Sequence, residues 1–228
     1  IVTLEIGTEK TKYYVHKDYL MHHSPYFRKA LSGPWIEAEE RLVTLEDVEV
    51  QPFNVFVHWL YTQAIPTTTD EWVKVSEAKK WKIEMLPSLE KAFSDDQQVL
   101  QLLTFGDRFA TPAFERDINN TIVDSLCYRD GSTEDWSPPY ILVIYAFQNL
   151  PANHPFLSLM VDLQCKNWDK SLDDEEDFEL MQLLPHEFLT RVMIRYGDLK
   201  CGAGKEALDP CDYHIHLSDG ERRDRRKQ

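Results

Sequence analysis

The spacing of apolar positions changes period early in the chain. Val2, Leu4 and Ile6 alternate with Thr3 and Glu5, the two-residue period of a half-buried strand. Gly7-Thr8-Glu9-Lys10 reads as a turn, and Thr11 to Val15 as a second strand, so the first fifteen residues predict a hairpin. From His16 to His23 the pattern becomes helical, with Tyr19, Leu20 and Met21 in a short segment. Ser24 then stands as an N-cap with Pro25 at the first helical position, where its missing N–H costs nothing. Tyr26, Phe27, Ala30 and Leu31 give this second helix its apolar face, and both Tyr26 and Phe27 are expected to be buried. Ser32-Gly33-Pro34 stops it. Leu42, Val43 and Leu45 suggest a third strand.

Helical periodicity dominates the rest. Pro52 opens a helix in which Phe53, Phe56, Val57, Leu60 and Tyr61 fall on one stripe, read as core. Residues 66 to 96 mix Trp72, Trp81, Ile83, Leu86, Leu89 and Phe93 with many charges and predict one or two short helices. Gln97 to Ala110 and Pro112 to Cys127 form a helical pair, with Phe114, Ile118, Ile122 and Leu126 recurring every fourth residue. After a polar loop at Asp130 to Pro139, helices are predicted at Tyr140 to Asn149, Pro155 to Trp168 and Pro185 to Tyr196. The acidic run Asp173 to Asp177 is a solvated linker or a helix start. Strands early and helices late predict an α+β fold, a small sheet capped by a helical cluster with additional C-terminal helices.

Composition narrows the function classes. The 228 residues are 43% hydrophobic and 12% aromatic, enough to bury a real core. No run approaches the ~20 apolar residues of a membrane helix, and there is no signal peptide, so an intracellular setting, cytoplasmic or nuclear, is expected. The sequence opens at Ile1 inside a strand pattern without Met, which reads as a piece of a longer protein. The net charge of −14 argues against nucleic-acid phosphate as a partner of this domain. The last eight residues, E-R-R-D-R-R-K-Q, reverse that charge locally and read as a solvated, disordered end. Cys127 and Cys165 lie among apolar residues as small core hydrophobes. Four cysteines without a secretory signal do not make a disulfide framework, and the sequon at Asn119-Asn120-Thr121 reads as accidental.

Five segments in order carry a family resemblance. They are the hairpin, V-H-K-D-Y-L, S-P-Y-F-R-K-A-L-S-G, V-T-L-E-D and F-N-V-F-V-H-W-L-Y-T. Together they resemble the BTB/POZ domain. L-L-T-F-G-D-R-F-A-T-P-A-F-E-R-D-I-N-N-T-I-V-D-S-L is similar to that family's closing helical pair. I-Y-A-F-Q-N-L-P-A-N-H-P-F-L-S-L-M-V-D-L is similar to the helical C-terminal extension usual in fungal members. The resemblance implies a BTB/POZ-like domain over 1–127 with an insertion at 66–96, a helical extension over 128–200, and a tail over 201–228. It implies a protein-interaction and oligomerisation module rather than an enzyme, with protein partners, a homodimer among them, and no membrane. Some members are adaptors that carry substrates to cullin-type ubiquitin ligases, through a hydrophobic-x-Glu element after the S-P-Y-F helix. Trp35-Ile36-Glu37 stands there, so Trp35 would be the apolar anchor and Glu37 the acceptor; the alternative is an aromatic packed on its own domain. The other functional reading is an assembly domain of a transcription or chromatin-associated regulator that binds no cullin. Many dimers of the family pack a helix before the first strand, and this sequence has none there.

Among chemical candidates, the sharpest is Cys201, Cys211, His214 and His216. Two thiolates and two imidazoles make a tetrahedral zinc set, and C-x2-H-x-H puts three of them within six residues. The spacing matches no standard zinc finger, and incidental Cys and His in a frayed tail is the competing reading. No other cofactor is expected. Gly202-Ala203-Gly204-Lys205 fails as a phosphate loop, because Leu199 replaces the upstream glycine and Glu206 the Ser or Thr. His16, His22 and His23 read as solvated or capping rather than metal-binding. The acidic run lacks the glycine and spacing of a calcium loop. Hydrolase and metalloprotease signatures are absent.

Overall fold

The computed structural model describes residues 1–76, 96–127, 137–202 and 208–225. The chain divides into two compact units, Ile1–Ala92 with Gln101–Ile118, and Phe93–Leu100 with Asn119–Gln228.

The first unit begins with strands β1 (Val2–Ile6) and β2 (Thr11–Val15), paired antiparallel with Val2 opposite Val15 and Ile6 opposite Thr11. Gly7 turns the hairpin at φ 73°, where a side chain is disfavoured. Helices α1 (Lys17–His23), α2 (Pro25–Ser32) and α3 (Ile36–Glu40) follow. Strand β3 (Leu42–Leu45) then returns parallel to β1, giving the order β2-β1-β3. Parallel pairing needs a crossover of a dozen or more residues, and these three helices supply it. The alternation predicted for β1 holds, with Val2, Leu4 and Ile6 all buried.

Ser24 closes α1 and opens α2. Its N–H donates to the Leu20 carbonyl, its Oγ accepts from Phe27 N–H, and the same hydroxyl donates to the Phe109 carbonyl at 2.6 Å. Phe27 is fully buried and stacks on Phe109, centroids 5.6 Å apart at 6°. Tyr26 is not buried as the sequence suggests; it is 40% exposed, its ring edge resting on Phe27 and Phe109. Successive side chains on a helix point about 100° apart, and here the inward direction falls to Phe27.

Helix α4 (Val50–Thr62) starts two residues before Pro52, which occupies its first turn. The buried stripe is also rotated from the predicted one: Val55 and Trp59 join Phe53, Phe56 and Leu60, and Tyr61 is exposed. Trp59 Nε1–H donates to Asp117 at 2.9 Å, which satisfies the one polar atom of a fully buried indole. Helix α5 (Thr69–Ser76) is one of the short helices expected after residue 66, and 77–95 lie outside the described residues. Helices α6 (Asp96–Arg108) and α7 (Pro112–Cys127) are the predicted pair. Phe105, Phe109 and Phe114 from this pair meet Phe27, Phe53, Phe56 and Trp59 in one aromatic core, neighbouring centroids as close as 4.4 Å.

The second unit holds α8 (Tyr140–Asn149), α9 (Pro155–Asn167), α10 (Glu175–Met181), α11 (His186–Lys200) and α12 (Asp219–Arg225). Tyr140, Val143, Ile144, Val161, Leu184 and Phe188 form a core, with Cys165 packed against it. The acidic run is a helix start: Asp174 caps α10 and Asp177 reaches back to the Asp174 N–H, a capping box at the positive end of the helix dipole. The basic end is ordered as a helix through Arg225, held by Glu221 accepting from Leu217 N–H and Arg222 bonding Asp212. The described residues are thus α+β, a three-stranded sheet followed by helices. Among them no helix is long and apolar enough to cross a membrane.

Candidate interaction surface and C-terminal histidine cluster

In the first unit, Gly33 ends α2 and Trp35 becomes the N-cap of α3. The indole lies directly over Gly33: a Cβ there would come within 2.4 Å of its Cδ1 and Nε1. The ring is therefore positioned by its own domain yet remains 50% exposed. Ile36 beside it is 69% exposed, and Glu37 is exposed in the first turn of α3. No residue of α3 is buried. Trp35 thus packs on its own domain and still presents half its surface.

A second exposed aromatic group lies in the same unit. Tyr19 and Tyr61 meet edge to face at 5.3 Å, and His16 Nδ1 lies 2.8 Å from the Tyr61 hydroxyl. His23 is edge-on to Trp59 at 5.0 Å, and burial followed by the charge of neighbouring His22 lowers its pKa. These three histidines enter no metal-competent group among the described residues.

The second unit brings three of the four predicted metal ligands together. Potential ligand atoms of Cys211, His214 and His216 all lie within 4.8 Å of one another. Cys201 is exposed at the end of α11 and is not in the group. The four-residue set is thus reduced to three, because α11 ends with Cys201 on the surface. Gly202 is described, whereas Ala203, Gly204 and Lys205 lie outside the described residues.

The cluster is not in a frayed tail. Asp209 caps a short 3-10 turn, Pro210–Asp212, by accepting from Cys211 N–H. Asn119, fully buried, donates to the Tyr213 carbonyl at 2.9 Å. Asn120 accepts from Ile215 N–H at 2.8 Å and donates to the Ile215 carbonyl at 3.2 Å, as a neighbouring strand would. The Tyr213 hydroxyl donates to Asp162 at 2.6 Å, and Arg195 bonds the other oxygen of that carboxylate. Burial, then this bond to Asp162, pushes the Tyr213 phenol up. The buried Asn119 of the sequon is thus a structural amide. Sequence reading missed Asn119 and Asn120 as clamps, because their partners Tyr213 and Ile215 lie 94 and 95 residues away.

The two histidines are oriented in complementary ways. His214, buried, has Nε2 2.8 Å from Asp124 Oδ1. His216 Nε2 lies 2.9 Å from the Cys211 carbonyl, an acceptor only, so Nε2 carries the proton and Nδ1 the lone pair. That Nδ1 is buried without a hydrogen-bond partner.

Tyr19, Trp35, Ile36 and Tyr61 leave this small sheet-and-helix unit with exposed apolar side chains. Residues 2–98 match the family model of the BTB/POZ domain. Residues 2–98 thus form a BTB/POZ domain, a protein–protein interaction module. No curated protein matches the chain.

Proposed function

We propose that this BTB/POZ protein is a substrate adaptor for a cullin-type ubiquitin ligase, with Trp35 as the apolar anchor and Glu37 as the polar acceptor. One observation carries the reading: an indole fixed over Gly33 that keeps half its surface exposed, next to an exposed isoleucine, on a helix that buries nothing. An apolar ring already held in place loses little rotamer freedom on binding, and such residues dominate interface energetics. Trp35, Ile36 and Glu37 are consecutive, so one partner groove can take the apolar pair while a donor meets the carboxylate.

The test is co-purification of the full chain with a cullin, comparing wild type with Trp35→Ala and Glu37→Ala. Loss of the anchor should weaken binding by about 30-fold or more, since hot-spot truncations cost about 2 kcal/mol or more. Binding unchanged in both variants, or no cullin binding by the wild type, removes this assignment. Self-association without cullin binding would point to the assembly-domain reading instead.

A further inference from the structure

We propose that Cys211, His214 and His216 form a structural zinc site that pins the C-terminal segment to the second unit. The proposal is independent of the cullin reading, because the residues lie in a different unit. Three observations converge. The donor set is one thiol and two imidazoles, the chemistry preferred by a borderline-soft, tetrahedral cation. Its potential ligand atoms already lie within 4.8 Å of one another, and tetrahedral zinc needs roughly 3.3–3.6 Å between ligands, given Zn–S and Zn–N bonds of about 2.3 and 2.0–2.1 Å. The imidazoles are set in the pattern that metal-bound histidines show. Asp124 holds Nε2 of His214, which directs Nδ1 as the ligand, and a carboxylate behind a histidine raises its basicity. The Cys211 carbonyl holds Nε2 of His216, leaving a buried Nδ1 lone pair with no acceptor role to play. Such a buried nitrogen is costly in a histidine that serves only packing.

The ligands come from a 3-10 turn and the irregular residues after it, a segment without a helix or strand of its own to hold it. The amides of Asn119 and Asn120 and the carboxylates of Asp124 and Asp162 already anchor that segment. A metal would close the short loop from Cys211 to His216 and fix it against those anchors. Cys201, exposed at the end of α11, lies outside the group, so the proposed set has three protein ligands.

The full chain is stripped with chelator and reloaded with zinc or cobalt. One zinc per chain is expected, with a higher melting temperature than the stripped protein. Cobalt should give tetrahedral d–d bands together with a thiolate-to-cobalt charge-transfer band. Cys211→Ser should remove the charge-transfer band, and His216→Ala should abolish stoichiometric uptake. Asp124 is 44% exposed and lies outside the ligand set, so Asp124→Asn provides a variant that folds; it should weaken zinc about 10–100-fold with the cobalt bands retained. Cys201→Ser should change none of these. Sub-stoichiometric zinc with no effect on melting overturns the site. Loss of zinc on Cys201→Ser, or unchanged affinity in Asp124→Asn, overturns the assignment of its ligands and their support.

Discussion

Replacing Gly106 by Ala isolates the close approach of α6 and α7 from every other contribution to stability. Gly106 lies in the last turn of α6, where Ala is the better helix former by about 1 kcal/mol. Local propensity alone therefore predicts stabilisation. The structure predicts the opposite. A Cβ at Gly106 would stand 2.7 Å from Glu115 Cβ and 2.9 Å from Glu115 Cα, in the first turn of α7. The nearer distance falls about 0.7 Å short of ordinary van der Waals contact, and two of the three nearest atoms are backbone. The helices cannot slide apart freely, because Thr111 N–H and its hydroxyl both donate to the Gly106 carbonyl, at 2.8 and 3.2 Å. Separating them also disturbs Phe105 and Phe109 in the aromatic core. Overpacking of this kind costs about 1–3 kcal/mol, which exceeds the propensity gain. Urea unfolding followed by far-ultraviolet circular dichroism measures the difference. Gly197→Ala is the internal control: it is in α11 with no atom within 4 Å of the added methyl, and should stabilise by about 0.5–1 kcal/mol. If Gly106→Ala matches or exceeds the wild type in stability, the close-approach argument is wrong.

Gly33→Ala should push the indole of Trp35 off its seat and reduce cullin co-purification without altering Trp35 or Glu37 themselves; unchanged binding would mean that the seat does not matter. Ser24→Ala removes both the cap of α2 and the bond to the Phe109 carbonyl, so a melt should report a loss of about 1–3 kcal/mol, and less than 0.5 kcal/mol would refute the double role. Thiol alkylation at pH 8 should label exposed Cys201 well before Cys127 and Cys165, whose pKa values burial raises to about 12 and about 11. The fold favours the protonated form of Cys127, so that stabilisation is complete below pH 9 and is lost as pH climbs toward 12. Mass spectrometry that finds Cys127 labelled first would contradict this.

The order of elements was legible in the residues. The two-residue period of Val2, Leu4 and Ile6, the Ser24-Pro25 start and the four-residue recurrence through α7 each reflect local backbone preference, which a sequence carries directly. Side-chain destinations were less legible. Trp59 rather than Tyr61 is buried on α4, because tertiary packing selects which face turns inward and Asp117, 58 residues away, satisfies the indole. The zinc candidate was legible as C-x2-H-x-H, a pattern of adjacent residues. Its loss of Cys201 depends on where α11 ends, and its gain of Asp124 behind His214 on a separation of 90 residues, neither of which spacing reveals.

By itself, then, the sequence determined the kinds of element, their order, the BTB/POZ character of the first part and the identity of the donor atoms near the C-terminus. These follow from periodicity, capping chemistry and residue type, all local properties. Only the tertiary structure decided which aromatic side chains stay outside, that Gly33 is the seat of Trp35, and that Asn119 and Asn120 clamp a segment nearly a hundred residues later. Those outcomes rest on which faces meet, and a buried amide or indole takes whichever partner the fold brings within hydrogen-bonding distance.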